Sequence, residues 1–145
     1  MQDNIGAFLT RRARRSPNLE ALVDLASGRR FDFRELNARA NRMADALRGR
    51  GGKKGDRVGL LMLNSVEFVE SFYALAKLGA VVAPLNWRLV ADELIFILQD
   101  CGATALIYGV EFAEVSAEIQ SRGAEGSDIS LWLEVGPADQ RQLFA

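Results

Sequence analysis

Residues 55–88, GDRVGLLMLNSVEFVESFYALAKLGAVVAPLNWR, read as a strand, a helix and a second strand in immediate succession. Residues 58–63 are almost continuously aliphatic, the pattern of a strand covered on both faces. Asn64 can cap the helix that follows, with Glu67 three residues on in the capping-box position. Residues 65–78 place Phe68, Phe72, Leu75 and Ala76 on one stripe, widened by Val66, Val69, Tyr73 and Leu78, which predicts a well-buried helix. Gly79 stands where a helix ends in the left-handed conformation. Residues 80–83 form the second strand, and Pro84 closes its ladder because it has no amide proton to donate. A strand, a helix and a parallel strand in one sheet cross over in the right-handed sense. This unit therefore commits the chain to an α/β fold.

The flanking sequence extends the same pattern. Residues 92–100 predict a short helix, with Asp92 and Glu93 at the positive end of its dipole. Residues 104–108 predict a third strand, residues 112–121 a helix and residues 130–135 a fourth strand. Helices and strands alternating over 57–135 predict a predominantly parallel sheet with helices on both faces. Ahead of it, Ile5, Phe8, Leu9 and Ala13 fall on one side of a helix over residues 4–15, which Ser16-Pro17 stops. Arg11, Arg12, Arg14 and Arg15 then read as a solvated face complementing the negative end of the helix dipole, in preference to a nucleic-acid or targeting patch, because no other basic cluster extends them. Residues 21–25 and 30–33 flank Ala26-Ser27-Gly28-Arg29 as a short β-hairpin. Asp32 and Glu35 form a capping box for a helix whose apolar stripe is Leu36, Ala40, Met43, Ala44 and Leu47. At 145 residues we expect one domain, 1–145, with residues 137–145 as a frayed tail.

Several chemistries are excluded by what the chain lacks. It has no histidine, which removes Ser-His-Asp and Cys-His pairs, the commonest general base and histidine metal sites. The glycine-and-lysine loop at 49–56 follows a helix and opens a strand, and no Ser or Thr follows its lysines, so it is not a phosphate loop. Net charge is −1, which provides no global field for nucleic acid or for an anionic membrane. No apolar run approaches the ~20 residues of a transmembrane helix. The N-terminus is not a secretory signal, and the single Cys101 fits a reducing compartment, so we expect a cytoplasmic protein. We assign no catalytic residue and no metal ligand. Ligands of parallel sheets sit at the carboxyl ends of strands, here Asn64-Ser65, residues 84–88 and Tyr108-Gly109.

Four pieces of this sequence carry a family resemblance: ELNARANR at 35–42, KKGDRV at 53–58, LNSVEF at 63–68 and KLGAVVAPLNWR at 77–88. Over roughly residues 4–120 the chain resembles the N-terminal region of adenylate-forming enzymes, in particular fatty-acyl-CoA and aryl-CoA ligases. The resemblance implies an incomplete N-terminal part of the large domain of an acyl-CoA synthetase. It implies a parent enzyme that joins a fatty or aryl carboxylic acid to ATP with Mg²⁺, then passes the acyl group to coenzyme A. The family's phosphate loop and lysine-bearing mobile domain have no counterpart in this chain, so no cofactor and no activity are expected of it alone. One residue is carried over. Arg88, the arginine of the P-L-N-x-R run, is a candidate contact for a coenzyme A phosphate, its alternative being a surface arginine or a local salt bridge. Trp87 beside it is a ligand lid or, preferably, an apolar plug against further parts of the enzyme. Val90 stands where relatives usually have Thr, and it cannot cap the next helix, at a cost of about 1 kcal/mol.

Two further readings stay open: a free-standing binding or assembly module of the same fold, and a flavodoxin-like small-ligand domain. The first would form a homodimer through an unpaired sheet edge or an apolar face, and a ligase fragment would instead associate with the remainder of its enzyme.

Overall fold

The computed structural model describes residues 4–136. The chain runs α1 (Ile5–Arg15), β1 (Glu20–Val23), β2 (Arg30–Asp32), α2 (Phe33–Gly49), β3 (Arg57–Leu61), α3 (Val66–Leu78), β4 (Val81–Pro84), α4 (Ala91–Asp100), β5 (Ala105–Gly109), α5 (Ala113–Ser121) and β6 (Leu131–Val135), with short 3₁₀ turns at Val110–Phe112 and Gly123–Glu125. β1 and β2 form an antiparallel hairpin. The other four strands form one parallel sheet in the order β4-β3-β5-β6, with Val58 opposite both Val82 and Ala105 and Leu106 opposite Trp132.

The period-two alternation of β3 and β5 divides the core between the two faces of the sheet. Val58, Leu60, Ala105 and Ile107 face Met43, Leu47, Ala74 and Leu75 of α2 and α3. Leu61 and Leu106 face Leu94, Leu98 and Ile119 of α4 and α5. Gly59 lies on that second face, where a Cβ would come within 2.8 Å of Leu98 Cδ2 and 2.9 Å of Leu106 Cδ1. The missing side chain is what lets α4 approach β3 so closely. A third, smaller cluster of Leu9, Leu36 and Ala40 joins α1 and α2 beneath the hairpin.

Three helix starts test the local reading. Asp32 and Glu35 form the reciprocal capping box of α2, with Asp32 Oδ1 accepting from Glu35 N at 2.7 Å and Glu35 Oε2 from Asp32 N at 2.9 Å. All five predicted stripe residues of α2 are buried. At α3 the cap is Ser65, whose hydroxyl accepts from Phe68 N at 3.1 Å, and not Asn64. Starting α3 one residue later turns Glu67 away from the cap and into the body of the protein. At α4, Val90 makes no side-chain cap bond, as its chemistry requires, although Glu93 accepts from Val90 N at 3.1 Å.

Three other expectations are corrected. In α1 the buried residues are Gly6, Leu9 and Ala13, while Ile5 and Phe8 are 51% and 57% exposed. The cause is Gly6, where a Cβ would come within 2.6 Å of Lys77 N, so the helix rotates to lay its glycine against the backbone of α3. In α3 the buried face carries Glu67, Glu70, Ser71, Ala74 and Leu75, with Phe68 and Phe72 only half-buried. The strand predicted over 58–63 ends at Leu61, and Leu63 is exposed. The expected tail at 137–145 lies outside the described residues.

Candidate functional site

The carboxyl ends of β3, β5 and β6 open into a cleft of about 490 Å³, bordered on one side by the β1–β2 turn. Met62, Leu63 and Val135 give it an apolar floor. Asn64, Ser65 and Gly109, three of the residues expected at strand ends, line it, and Glu111 joins them from the turn after β5.

The turn is built by its own side chains. Asp24 Oδ1 accepts from Ala26 N at 3.1 Å, and the Ser27 hydroxyl donates to Asp24 Oδ2 at 2.6 Å. Gly28, at φ 72°, supplies the left-handed residue that closes the loop. Ser27 Oγ also accepts from Arg29 Nε at 3.1 Å, which aims the guanidinium at α3. There Arg29 Nη1 meets Glu67 Oε1 at 3.0 Å, and Nη2 reaches Asp24 Oδ2 and Glu67 Oε2, each at 3.4 Å. Hydrogen bonding to Glu67 is the main reason the Arg29 pKa is raised. The Ser27 hydroxyl does most to hold the Asp24 carboxyl below its usual range. Together the three groups clasp the hairpin to the first turn of α3.

This arrangement limits the chemistry of the cleft. Among the described residues its one guanidinium already serves two carboxylates, and Glu111 adds a third carboxylate to the lining. The rim is therefore acidic over an apolar floor, unsuited to drawing in a polyphosphate. Among the described residues no group of three His, Cys, Asp or Glu side chains is placed to hold a metal ion.

Arg88 lies outside this cleft, in the loop after the edge strand β4. Asn86 Oδ1 accepts from Arg88 N at 3.1 Å and shapes the loop. The exposed guanidinium stacks over the Trp87 ring, 4.8 Å from its centroid, and Trp87 in turn lies 6.4 Å from the ring of Phe112. No carboxylate pairs with Arg88 among the described residues, so the local salt bridge is not formed there. The clasp around Arg29 and a second buried pair escaped the sequence reading. In that second pair Arg39 Nη2 meets Glu70 Oε2 at 2.8 Å, with the side chains 18% and 8% exposed. Two carboxylates three residues apart on an otherwise apolar helix are the trace these pairs leave in the sequence.

Comparison with known proteins agrees with the geometry. The family model for AMP-binding enzymes matches residues 9–143. The long-chain-fatty-acid–CoA ligase FadD13 of Mycobacterium tuberculosis is 46% identical over 130 residues, covering 90% of this chain and 26% of that protein. A feruloyl-CoA synthase of Amycolatopsis sp is 39% identical over 115 residues, covering 79% of this chain and 23% of that one. The crystal structure of the N-terminal domain of FACL13 from Mycobacterium tuberculosis matches with a TM-score of 0.86 at 45% identity, over 95% of this chain and 34% of that one. The chain spans about a quarter of the length of the curated relatives it matches. It belongs to the AMP-binding enzyme family, with the parallel-sheet fold found in the N-terminal domains of acyl-CoA ligases.

Proposed function

We propose that this chain is the N-terminal part of an acid–thiol ligase. The parent enzyme would join a fatty or aryl carboxylic acid to ATP as the acyl-adenylate, releasing pyrophosphate. It would then transfer the acyl group to the coenzyme A thiol, releasing AMP. Magnesium would neutralise phosphate charge in the first step. The reading rests on the family match together with the activities of the relatives, which are a CoA ligase and a CoA synthase. A cytoplasmic setting accords with the unpaired thiol of Cys101.

In this reading residues 4–136 supply scaffold, and the chain by itself makes no acyl-adenylate. The occupied Arg29 in the strand-end cleft is the observation that carries this. Mixing the chain with ATP, Mg²⁺ and a fatty acid is expected to release no pyrophosphate above buffer. Turnover would overturn the claim.

Arg88 is the residue we assign to the coenzyme A nucleotide, by contact with a phosphate. A guanidinium at a strand end, stacked on Trp87 and without a carboxylate partner, suits a planar bidentate acceptor. Replacement by alanine should weaken coenzyme A binding about tenfold, the weight of one charge-assisted hydrogen bond. Identical calorimetric titrations of wild type and Arg88→Ala would remove the assignment.

Association through β4 is the second reading. β4 is an edge of the sheet, and Val81 at its start is 53% exposed. A dimer formed by strand addition there would double the mass by light scattering, and a clean monomer would exclude it.

A further inference from the structure

The charge of this chain is divided between the two sides of its sheet. Residues 4–57 carry fourteen basic and six acidic side chains, whereas residues 91–136 carry one basic and nine acidic. α2 covers one face of the sheet and α4 and α5 the other, so near-neutrality conceals a basic side and an acidic side. On the acidic side Glu93, Phe96 and Asp100 are all exposed, and spacings of three and four residues put them in one line along α4. Phe96 is 69% exposed, with a carboxylate one turn away in each direction. Glu93 gives one oxygen to Val90 N, and Asp100 has no ion-pair partner among the described residues. On the basic side Arg34, Ala38 and Arg42 form a second line, along α2. They line a groove of about 390 Å³ whose other walls are Phe31, Glu35 and Arg39. The Arg39 guanidinium lies 5.1 Å from the centroid of the Phe31 ring. Arg34 meets Asp32 only at an exposed 3.3 Å pair, and Arg42 has no ion-pair partner among the described residues.

We propose that these two lines bind each other between copies of the chain, α4 of one copy docking on α2 of the next. Phe96 enters the groove over Ala38, whose small side chain leaves it room, and Glu93 and Asp100 meet Arg34 and Arg42. The carboxylates stand about 10 Å apart along α4 and the arginines about 12 Å apart along α2, a difference that the long arginine stem takes up. An aromatic anchor in a pocket, rimmed by charge pairs, places the apolar contact at the centre and the ionic ones where they steer encounter. A foreign basic surface could satisfy Glu93 and Asp100, but the chain itself carries the complement at the required spacing. Because the two lines lie on opposite sides of one molecule, the contact is head-to-tail, and each added copy leaves one line free. Edge pairing through β4 is a different contact that closes at two copies. The docking of α4 on α2 stands apart from the ligase reading.

The test is light scattering and sedimentation velocity of the chain at rising concentration. At low salt the average mass should climb past twice that of one chain. It should fall as salt approaches about 1 M, where the screening length is about 3 Å. Phe96→Ser, Arg42→Glu and Asp100→Arg should each weaken association about tenfold. An equimolar mixture of the Arg42→Glu and Asp100→Arg chains should associate again, because each supplies the line that the other has lost. All three side chains are exposed, so thermal melting of the variants should match wild type and separate lost docking from lost fold. A mass independent of concentration at low salt overturns the proposal. So does a mixture no heavier than its two components. A mass that stops at twice the chain and ignores all three substitutions gives the association to the β4 edge and overturns it as well.

Discussion

Gly6 is the residue on which the position of α1 depends. A methyl group there would meet the backbone of Lys77, at 2.6 Å from its N and 2.8 Å from its Cα, and a backbone cannot step aside as a flexible side chain can. Alanine gains about 1 kcal/mol in a helix over glycine. Forcing a methyl into a closed contact costs about 1–3 kcal/mol. Gly6→Ala should therefore destabilise the chain by up to about 2 kcal/mol in urea unfolding, in spite of the better helix former. Lys77 itself binds α1 and α2 to α3, donating to Thr10 Oγ1 at 2.5 Å and Asn37 Oδ1 at 2.8 Å. Burial pushes its pKa below the ordinary 10.5. Below the folded pKa both states carry the proton and the desolvation cost is fully present. As pH rises through the folded value towards 10.5 the unfolded chain binds more protons, and stability rises. Denaturant midpoints of wild type measured against Lys77→Met should diverge with that sign in the alkaline range, and parallel curves would refute it. Asp24 has the same sign of dependence, in the acid range. Its depressed pKa contributes stability above about 3.8, lost as pH falls through the folded value.

At the scale of elements, the two long helices of the first face show what a sequence reveals. α2 alternates arginines with small and aliphatic residues, so only one stripe can be buried, and all five of its members were legible. α3 is apolar nearly all round, and its pattern does not select a face. Arg29 and Arg39 select it, from outside the element, by drawing Glu67 and Glu70 inward. No local rule connects residues that far apart, and the clasp beside the cleft was therefore invisible. The two kinds of ion pair differ in weight. Glu70→Ala should cost about 2–3 kcal/mol, because it leaves the largely buried Arg39 without its carboxylate. Glu20→Ala, which breaks the exposed pair with Arg30, should cost under about 1 kcal/mol. Double-mutant cycles would separate the two. At the start of α4, Val90→Thr adds the missing hydroxyl acceptor at an exposed site and should stabilise the chain by about 0.5–1 kcal/mol, read as a shift in the urea midpoint.

For the whole molecule, the parallel sheet and its layering followed from the spacing of aliphatic runs, since a crossover of one hand leaves few arrangements. The site was legible in position and not in content. Asn64, Ser65 and Gly109 do meet at strand ends, but residues 84–88 stand apart from them. The sheet order explains why: β4 is an edge, while the cleft opens over β3, β5 and β6. The same order has a consequence during synthesis. β3 can pair with β4 as soon as α3 has been made, but its other side waits for β5, about twenty residues later. At about 5–20 residues per second the nascent chain carries a bare aliphatic strand edge for roughly 1–4 s. In that interval the ribosome-bound chain presents to its surroundings the surface that the finished protein hides most completely.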